Sequence, residues 1–462
     1  MKRSYILAMA TVLLLLFLNP QSLFIYSQKE AVILISNVTL IDGTARPAIP
    51  NAFVLTRGNR IATVSASPIK APQGARQIDG KGKFLIPGLM DVHIHLRGSR
   101  GVEVVEGKYV SKGPDESVGI SALHSYLYCG VTTVYDAGNE GEFILGLREK
   151  ERAGQIVSPR IFATGPLCTY PGSHGGGPGS ILVDSWPEGK PLLDKHIAMK
   201  PDIAKLTYEE HGWGTRSLIP RFPVDLLQEV VHYYNSHGIR TVCHISSELC
   251  ARDAIYAGVD TLAHPVIQSP ITESFAQLMA AKKIPMASTM TIGEGYSRLV
   301  DHPEYLDQPL YQAVLEPAEI NRMKTKEREA QDKRPWTWWM KIMTPICQEN
   351  CRMINAAGGI LACGTDQTIG PAVHRELELL VGGKISTLDT IRIATLNSAI
   401  FLGKERELGS IEEGKLADMV LLDADPVADI NNAKKINMVI KNGQIVDRGQ
   451  LDLPVNKKAA SK

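Results

Sequence analysis

The chain has 462 residues, 44% of them hydrophobic and 21% charged, and its 50 basic and 49 acidic side chains leave a net charge of +1. That balance argues against a disordered or fibrous chain, and against a protein that grips nucleic acid through a strongly basic face. The length exceeds what one small core supports and predicts a large domain with a smaller companion.

The chain opens on "MKRSYILAMATVLLLLFLN", in which Lys2 and Arg3 precede an apolar run from Tyr5 to Leu18. This run is short for a membrane span and has the layout of a secretory signal. Residues 1–27 are therefore expected to form a signal peptide, or an N-terminal anchor if uncleaved. The protein is expected to be exported, periplasmic or secreted, and to touch a membrane only if that segment stays attached. Seven cysteines, an odd number with no C-x-x-C spacing, give no structural zinc knuckle and leave disulfides open.

From Ala31 to Lys83, short β-branched runs alternate with Gly, Asn and Pro punctuation, which predicts strands joined by turns. A second such block, "GKLADMVLLDAD" and "INMVIKNGQIVDRG", closes the chain, with Asn442-Gly443 as a hairpin signal. The two blocks predict a composite β-sandwich over residues 28–84 and 399–450. The basic end, residues 451–462, reads as a flexible tail.

Between these blocks, apolar strands are expected near 85–93, 131–136, 159–164, 202–207, 239–244, 259–263, 284–289 and 359–365. Segments such as "PVDLLQEVVHYYNSHG" separate them with helical apolar spacing. Eight strand–helix units predict an α/β fold, a (β/α)8 TIM barrel over residues 85–398. Its active site would lie at the C-terminal ends of the strands.

Those ends carry chemistry. The first strand, "LIPGLMDVHIHL", ends in His93 and His95, which a period of two places on one side. Two adjacent imidazoles suit a divalent metal, although a pair of core histidines bonded to backbone has the same pattern. The fourth strand, "PDIAKLTY", buries Lys205; the fifth ends in His244, the sixth in His264 and the eighth, "GGILACGTDQ", in Asp366. Each alone is ordinary, but all at one structural level indicate a common site.

Further candidates lie in loops. The glycine-rich stretch "LCTYPGSHGGGPGS" carries His174, either a donor to substrate or an exposed loop histidine, and Tyr208, three residues past Lys205, is a candidate to reach a substrate carbonyl or carboxylate. Arg97 is a weaker substrate contact. A charged, helical insertion near 294–356 clusters Trp336, Trp338 and Trp339, either as an apolar wall over the substrate or as packing against the barrel. His374 reads as a support to the site or as a simple helix N-terminal residue, and the six histidines away from strand ends and loops of interest receive no role.

The strings "PGLMDVHIHL", "PDIAKLTY" and "CGTD", the His244 and His264 strand ends, and the closing "TLNSAIFLGKERELGSIEEGKLADMVLLDADP" together resemble the amidohydrolase superfamily of metal-dependent barrel hydrolases. The resemblance covers about residues 31–447. It is nearest to the branch of imidazolonepropionase-like proteins and zinc Xaa-Pro dipeptidases, some of whose relatives hydrolyse organophosphates or acylated amino acids. It implies two divalent ions, zinc by preference, held by His93, His95, Asp366, His244 and His264. Lys205, carboxylated on its side-chain nitrogen, would bridge them. An unmodified ammonium has no lone pair to offer and would repel both ions, whereas a carbamate offers an oxygen to each. The competing arrangement is a plain lysine paired with an acid beside a single ion.

The implied reaction is metal-assisted hydrolysis of an amide, with Asp366 passing a proton to the leaving nitrogen. The expected activity is that of a dipeptidase of Xaa-Pro type. Alternatives are hydrolysis of N-acyl amino acids, lactones or phosphotriesters on the same centre, and a non-catalytic binding protein on the same barrel. A true imidazolonepropionase fits less well, because that type lacks the bridging lysine and needs no export. The expected partner is a small or dipeptide-like molecule, with no nucleic acid; a homo-oligomer stays open.

Overall fold

A computed structural model describes residues 31–98, 102–105, 108–111, 113–177, 179–211 and 218–460. The expected signal or anchor segment, residues 1–27, lies outside the described residues. Among those described, no helix is long and apolar enough to cross a membrane.

Strands from both ends of the chain form one eight-stranded sheet. Its order runs Gln444–Ile445, Ile436–Lys441, Met419–Leu422, Phe84–Pro87, Val32–Leu40, Ile49–Arg57, Arg60–Ser65, with Arg76–Asp79 also pairing with Val32–Leu40. The Asn442-Gly443 turn has both residues at positive φ, 50° and 68°, as a tight hairpin of this kind requires.

The central strands pair in parallel. Arg160–Ala163, Val131–Asp136 and Leu89–Ile94 form a sheet of three. A sheet of seven runs Ile181–Leu182, Cys168–Thr169, Ile203–Thr207, Arg240–His244, Thr261–Leu262, Met286–Ala287 and Leu361–Ala362. Backbone bonds connect the two: Val92 N–H donates to Cys363 O at 2.8 Å, and Asp202 N–H donates to Ala163 O at 2.9 Å. Helices follow these strands, so the chain is α/β, with a separate eight-stranded sheet from the two ends of the described chain.

The first expected strand is divided. Phe84–Pro87 pairs antiparallel with Met419–Leu422 in the terminal sheet, and Leu89–Ile94 pairs with Val131–Asp136 in the parallel one. Gly88 is the crossing point. A Cβ there would lie 2.1 Å from the Thr132 hydroxyl oxygen, so only glycine leaves room for the Thr132 side chain.

Side-chain alternation builds a floor beneath the strand ends. Ile203 and Val242 stand two residues before Lys205 and His244, hence on the same strand faces. With Met90, Val92, Phe162 and Ala287 they form a buried apolar cluster completed by Phe401 and Leu408. The residues after 450 depart from a flexible tail. Leu451 and Leu453 are buried against Leu127, Leu306 and Tyr311, and Pro454–Ala460 is helical, because two leucines in "LDLP" find an apolar seat. All seven cysteines are buried free thiols, Cys347 and Cys351 lying on one helix, Pro335–Ala356.

Candidate metal centre

His93 and His95 emerge at the end of Leu89–Ile94, and their outer ring nitrogens are tied down. His93 Nδ1 lies 3.2 Å from Ala263 O, and His95 Nδ1 2.8 Å from Gly138 O. A carbonyl only accepts, so each Nδ1 carries a proton, and Nε2 is the ring atom that would serve a cation. Those nitrogens face Asp366 Oδ1 at 3.8 and 3.3 Å. Three acceptors converging in this way, their ligand atoms all within 4.8 Å of one another, are a donor set for a cation. Burial, then the charge of Lys205, holds the His93 pKa well below its ordinary value, which keeps this imidazole neutral.

Lys205 Nζ stands 3.3 Å from His93 Nε2 and is almost wholly buried. Burial lowers its pKa to about 8. An amine of that kind is partly neutral near physiological pH, and a neutral amine is the form that reacts with carbon dioxide.

From His93 the rings continue as a row. His264 follows at 4.6 Å between centroids, His244 at a further 4.4 Å, and His174 stacks on His244 at 4.2 Å. His264 Nδ1 lies 2.8 Å from Thr289 Oγ1. Burial depresses His264 well below the usual histidine range and His244 to about 4.

Glu209, fully buried, joins this half of the site without having been anticipated. Its Oε1 lies 2.8 Å from His174 Nδ1 and its Oε2 3.1 Å from His244 Nε2, and the three form a second potential cation-binding group. Burial alone would raise its pKa. The two imidazoles outweigh burial and hold it well below the usual carboxylate range. The signal was present in "KLTYEE": Glu209 stands four residues after Lys205, on the same face if the strand period is continued.

Two aspartates support the first histidine pair. Asp136, at the end of Val131–Asp136, accepts Leu96 N–H at 2.8 Å and Gly138 N–H at 3.1 Å, fixing the turn whose carbonyl holds His95. Asp91 accepts from His93 N–H at 3.2 Å and also from Thr365. Asp366 itself has φ +54°, a left-handed backbone uncommon outside glycine, and its N–H donates to His93 O at 2.7 Å.

The remaining candidates separate. His174 is part of the row and 37% exposed, with its Nδ1 on Glu209. Tyr208 is buried, and its hydroxyl is bonded to Asp253 at 3.0 Å and to Arg221, whose guanidinium lies over its ring. Arg97 donates to Thr368 and Glu319, tying the loop after Asp366 to the insertion. Trp336 stacks on Tyr296 and, like Trp339, packs against the core, whereas Trp338 is 65% exposed. His374 is buried on Pro371–Gly382 with Nε2 bonded to Cys129 O at 3.0 Å, a structural role beneath the helix.

A model of the amidohydrolase family matches residues 345–446. An imidazolonepropionase of Shouchella clausii is 30% identical over 414 residues, covering 81% of this chain and 79% of that protein. Among solved structures, a Xaa-Pro dipeptidase with methionine bound in its active site is similar with a TM-score of 0.71 at 22% identity, over 90% of this chain and 100% of the other. The ochratoxinase of A. niger also aligns with a TM-score of 0.71, at 19% identity over 90% and 96% of the two chains.

Proposed function

The chain belongs to the amidohydrolase family, a metal-dependent group of hydrolases, and from that premise we propose that it cleaves a peptide-type amide bond as a dipeptidase of Xaa-Pro type. The observation that carries this reading is the convergence of His93, His95 and Asp366 beside Lys205, with His264 and His244 continuing the row. The lysine favours the dipeptidase side of the family over imidazolonepropionase, as does the solved dipeptidase that aligns along its whole length.

His93, His95 and Asp366 would hold one divalent ion, and His244 and His264 the other, with carboxylated Lys205 between them. Zinc suits these imidazole and carboxylate donors. When bound, the ions supply Lewis acidity and make water acidic enough to ionise near neutral pH. Asp366 would take the proton of the attacking water on a carboxylate oxygen and return it to the leaving nitrogen. His174, its Nδ1 fixed by Glu209, would turn Nε2 toward the substrate carbonyl. Tyr208, with Arg221 against its ring, would take the substrate carboxylate by loosening its bond to Asp253.

The two parallel sheets are read as one closed (β/α)8 barrel, supported by the bond from Val92 to Cys363 across one pair of edges and the bond from Asp202, just before Ile203–Thr207, to Ala163. The terminal sheet would be its small β-sandwich domain. Export, through the apolar N-terminal segment, is part of the same proposal.

A hydrolysis panel of Xaa-Pro dipeptides, N-acyl amino acids, lactones and phosphotriesters tests the assignment on the metal-loaded protein, with Asp366→Asn as blank. Turnover of Xaa-Pro dipeptides that is lost in the variant is expected. Equal activity in both proteins would remove Asp366 from its role, and turnover of another class alone would overturn the dipeptidase reading.

A further inference from the structure

Helix Met290–Asp301 begins directly behind His264, and its first turn is capped in an unusual manner. The first N–H groups of an α-helix have no partner within the helix, and a threonine before the first turn ordinarily accepts from one of them. Thr289 occupies that position but makes no side-chain cap bond. Its Oγ1 lies instead 2.8 Å from His264 Nδ1. Its backbone, at φ 30° and ψ 35°, sits in the left-handed region that a β-branched residue avoids.

The cap comes from elsewhere. Glu376, on helix Pro371–Gly382, is fully buried, and its carboxylate accepts Met290 N–H at 3.1 Å and Thr291 N–H at 2.8 Å, together with the Thr291 hydroxyl. A carboxylate at a helix N-terminus also complements the positive end of the helix. Glu376 thus performs the task that Thr289 leaves undone.

We propose that Glu376 is a positioning residue for His264: by capping Met290–Asp301 from a neighbouring helix, it releases the Thr289 hydroxyl to hold the imidazole. The 2.8 Å contact at Nδ1 fixes the orientation of the His264 ring at the site. The unfavourable backbone at Thr289 is held by the two N–H bonds that Glu376 makes immediately after it. This inference rests on the metal reading above.

Chelator competition for zinc and the visible absorption of the cobalt-loaded protein test it, in Glu376→Gln, Thr289→Ala and Thr289→Ser. Glu376→Gln is expected to bind the ion at His93, His95 and Asp366 as the wild type does and the ion at His244 and His264 about tenfold to a hundredfold less well, with a changed cobalt spectrum. Thr289→Ala should do the same, Thr289→Ser should keep wild-type values, and the Glu376→Gln/Thr289→Ala double variant should be no worse than either single one. A Glu376→Gln protein with a lowered melting point but unchanged affinities and spectrum overturns the proposal. If Glu376→Gln fails to fold, the Thr289 pair decides: equal zinc affinities in the alanine and serine variants overturn it too. A wild-type protein that takes up no ion would overturn the metal reading itself, a result distinct from either.

Discussion

Asp91 accepts the backbone N–H and the hydroxyl of Thr365 at 3.0 and 2.6 Å, and so anchors the residue that immediately precedes Asp366. The same carboxyl accepts from His93 N–H. One buried side chain therefore sets the spacing between a histidine and the aspartate facing it. Replacing it with asparagine leaves fewer acceptors for three donors. Asp91→Asn is expected to reduce kcat/KM about tenfold to a hundredfold, the usual effect of loosening groups that orient metal ligands. Steady-state kinetics at saturating zinc would measure it, and an unchanged kcat/KM would refute it.

Glu209 gives a second expectation. Its two oxygens serve His174 and His244 separately, so its loss frees two rings at once. Glu209→Ala should lower kcat by at least about tenfold and weaken retention of one ion on dialysis. Glu209→Asp, a carboxylate on a shorter arm, should recover part of both. Metal analysis of the dialysed proteins separates this from a general loss of folding.

His374 predicts a pH effect away from the centre. Burial lowers its pKa to about 4, against about 6.5 when unfolded. Between those values the unfolded chain binds the extra proton, so stability rises with pH and is fully present above about 6.5. It is lost as pH falls toward 4. At about 1.4 kcal/mol per pH unit, the loss approaches 3 kcal/mol. Urea denaturation of His374→Gln, whose amide can still donate to Cys129 O, should show a shallower decline over this range than the wild type. Parallel profiles would disprove it.

Gly88 predicts a steric effect. Gly88→Ala would set a Cβ 2.1 Å from the Thr132 hydroxyl oxygen and 2.8 Å from Thr132 Cβ. A destabilisation of about 1–3 kcal/mol is expected, typical of overpacking. Adding Thr132→Ala should recover part of it. Thermal melts of the wild type and the two variants give the comparison, and full tolerance of alanine would show that the strands can part.

The strand ends were legible in the sequence because a period of two, combined with histidine, lysine and aspartate at apolar run ends, is a local signal. His93, His95, Lys205, His244, His264 and Asp366 could all be found that way. Glu209 and Asp136 were within reach but overlooked, since each looks like an ordinary acidic residue at the start of a loop. Glu376 was not legible: its partners Met290 and Thr291 lie more than 80 residues away, and glutamate is common on helices. The division at Gly88 was hidden for another reason. Both halves of "LIPGLMDV" are apolar because both are buried, so hydrophobic pattern alone cannot tell one strand from two. The segment after 450 was misjudged on its lysines, when Leu451 and Leu453 decide its packing.

The division at Gly88 also bears on how the molecule is made. Gly88 N–H donates to Asp418 O at 2.8 Å, and Phe84–Pro87 takes Met419–Leu422 as its neighbour. The stem that carries the histidine pair thus gains a neighbour from a segment made long after it. A nascent chain released short of about residue 420 would lack that brace, so competence to bind metal should arrive only once that segment is made rather than grow with chain length.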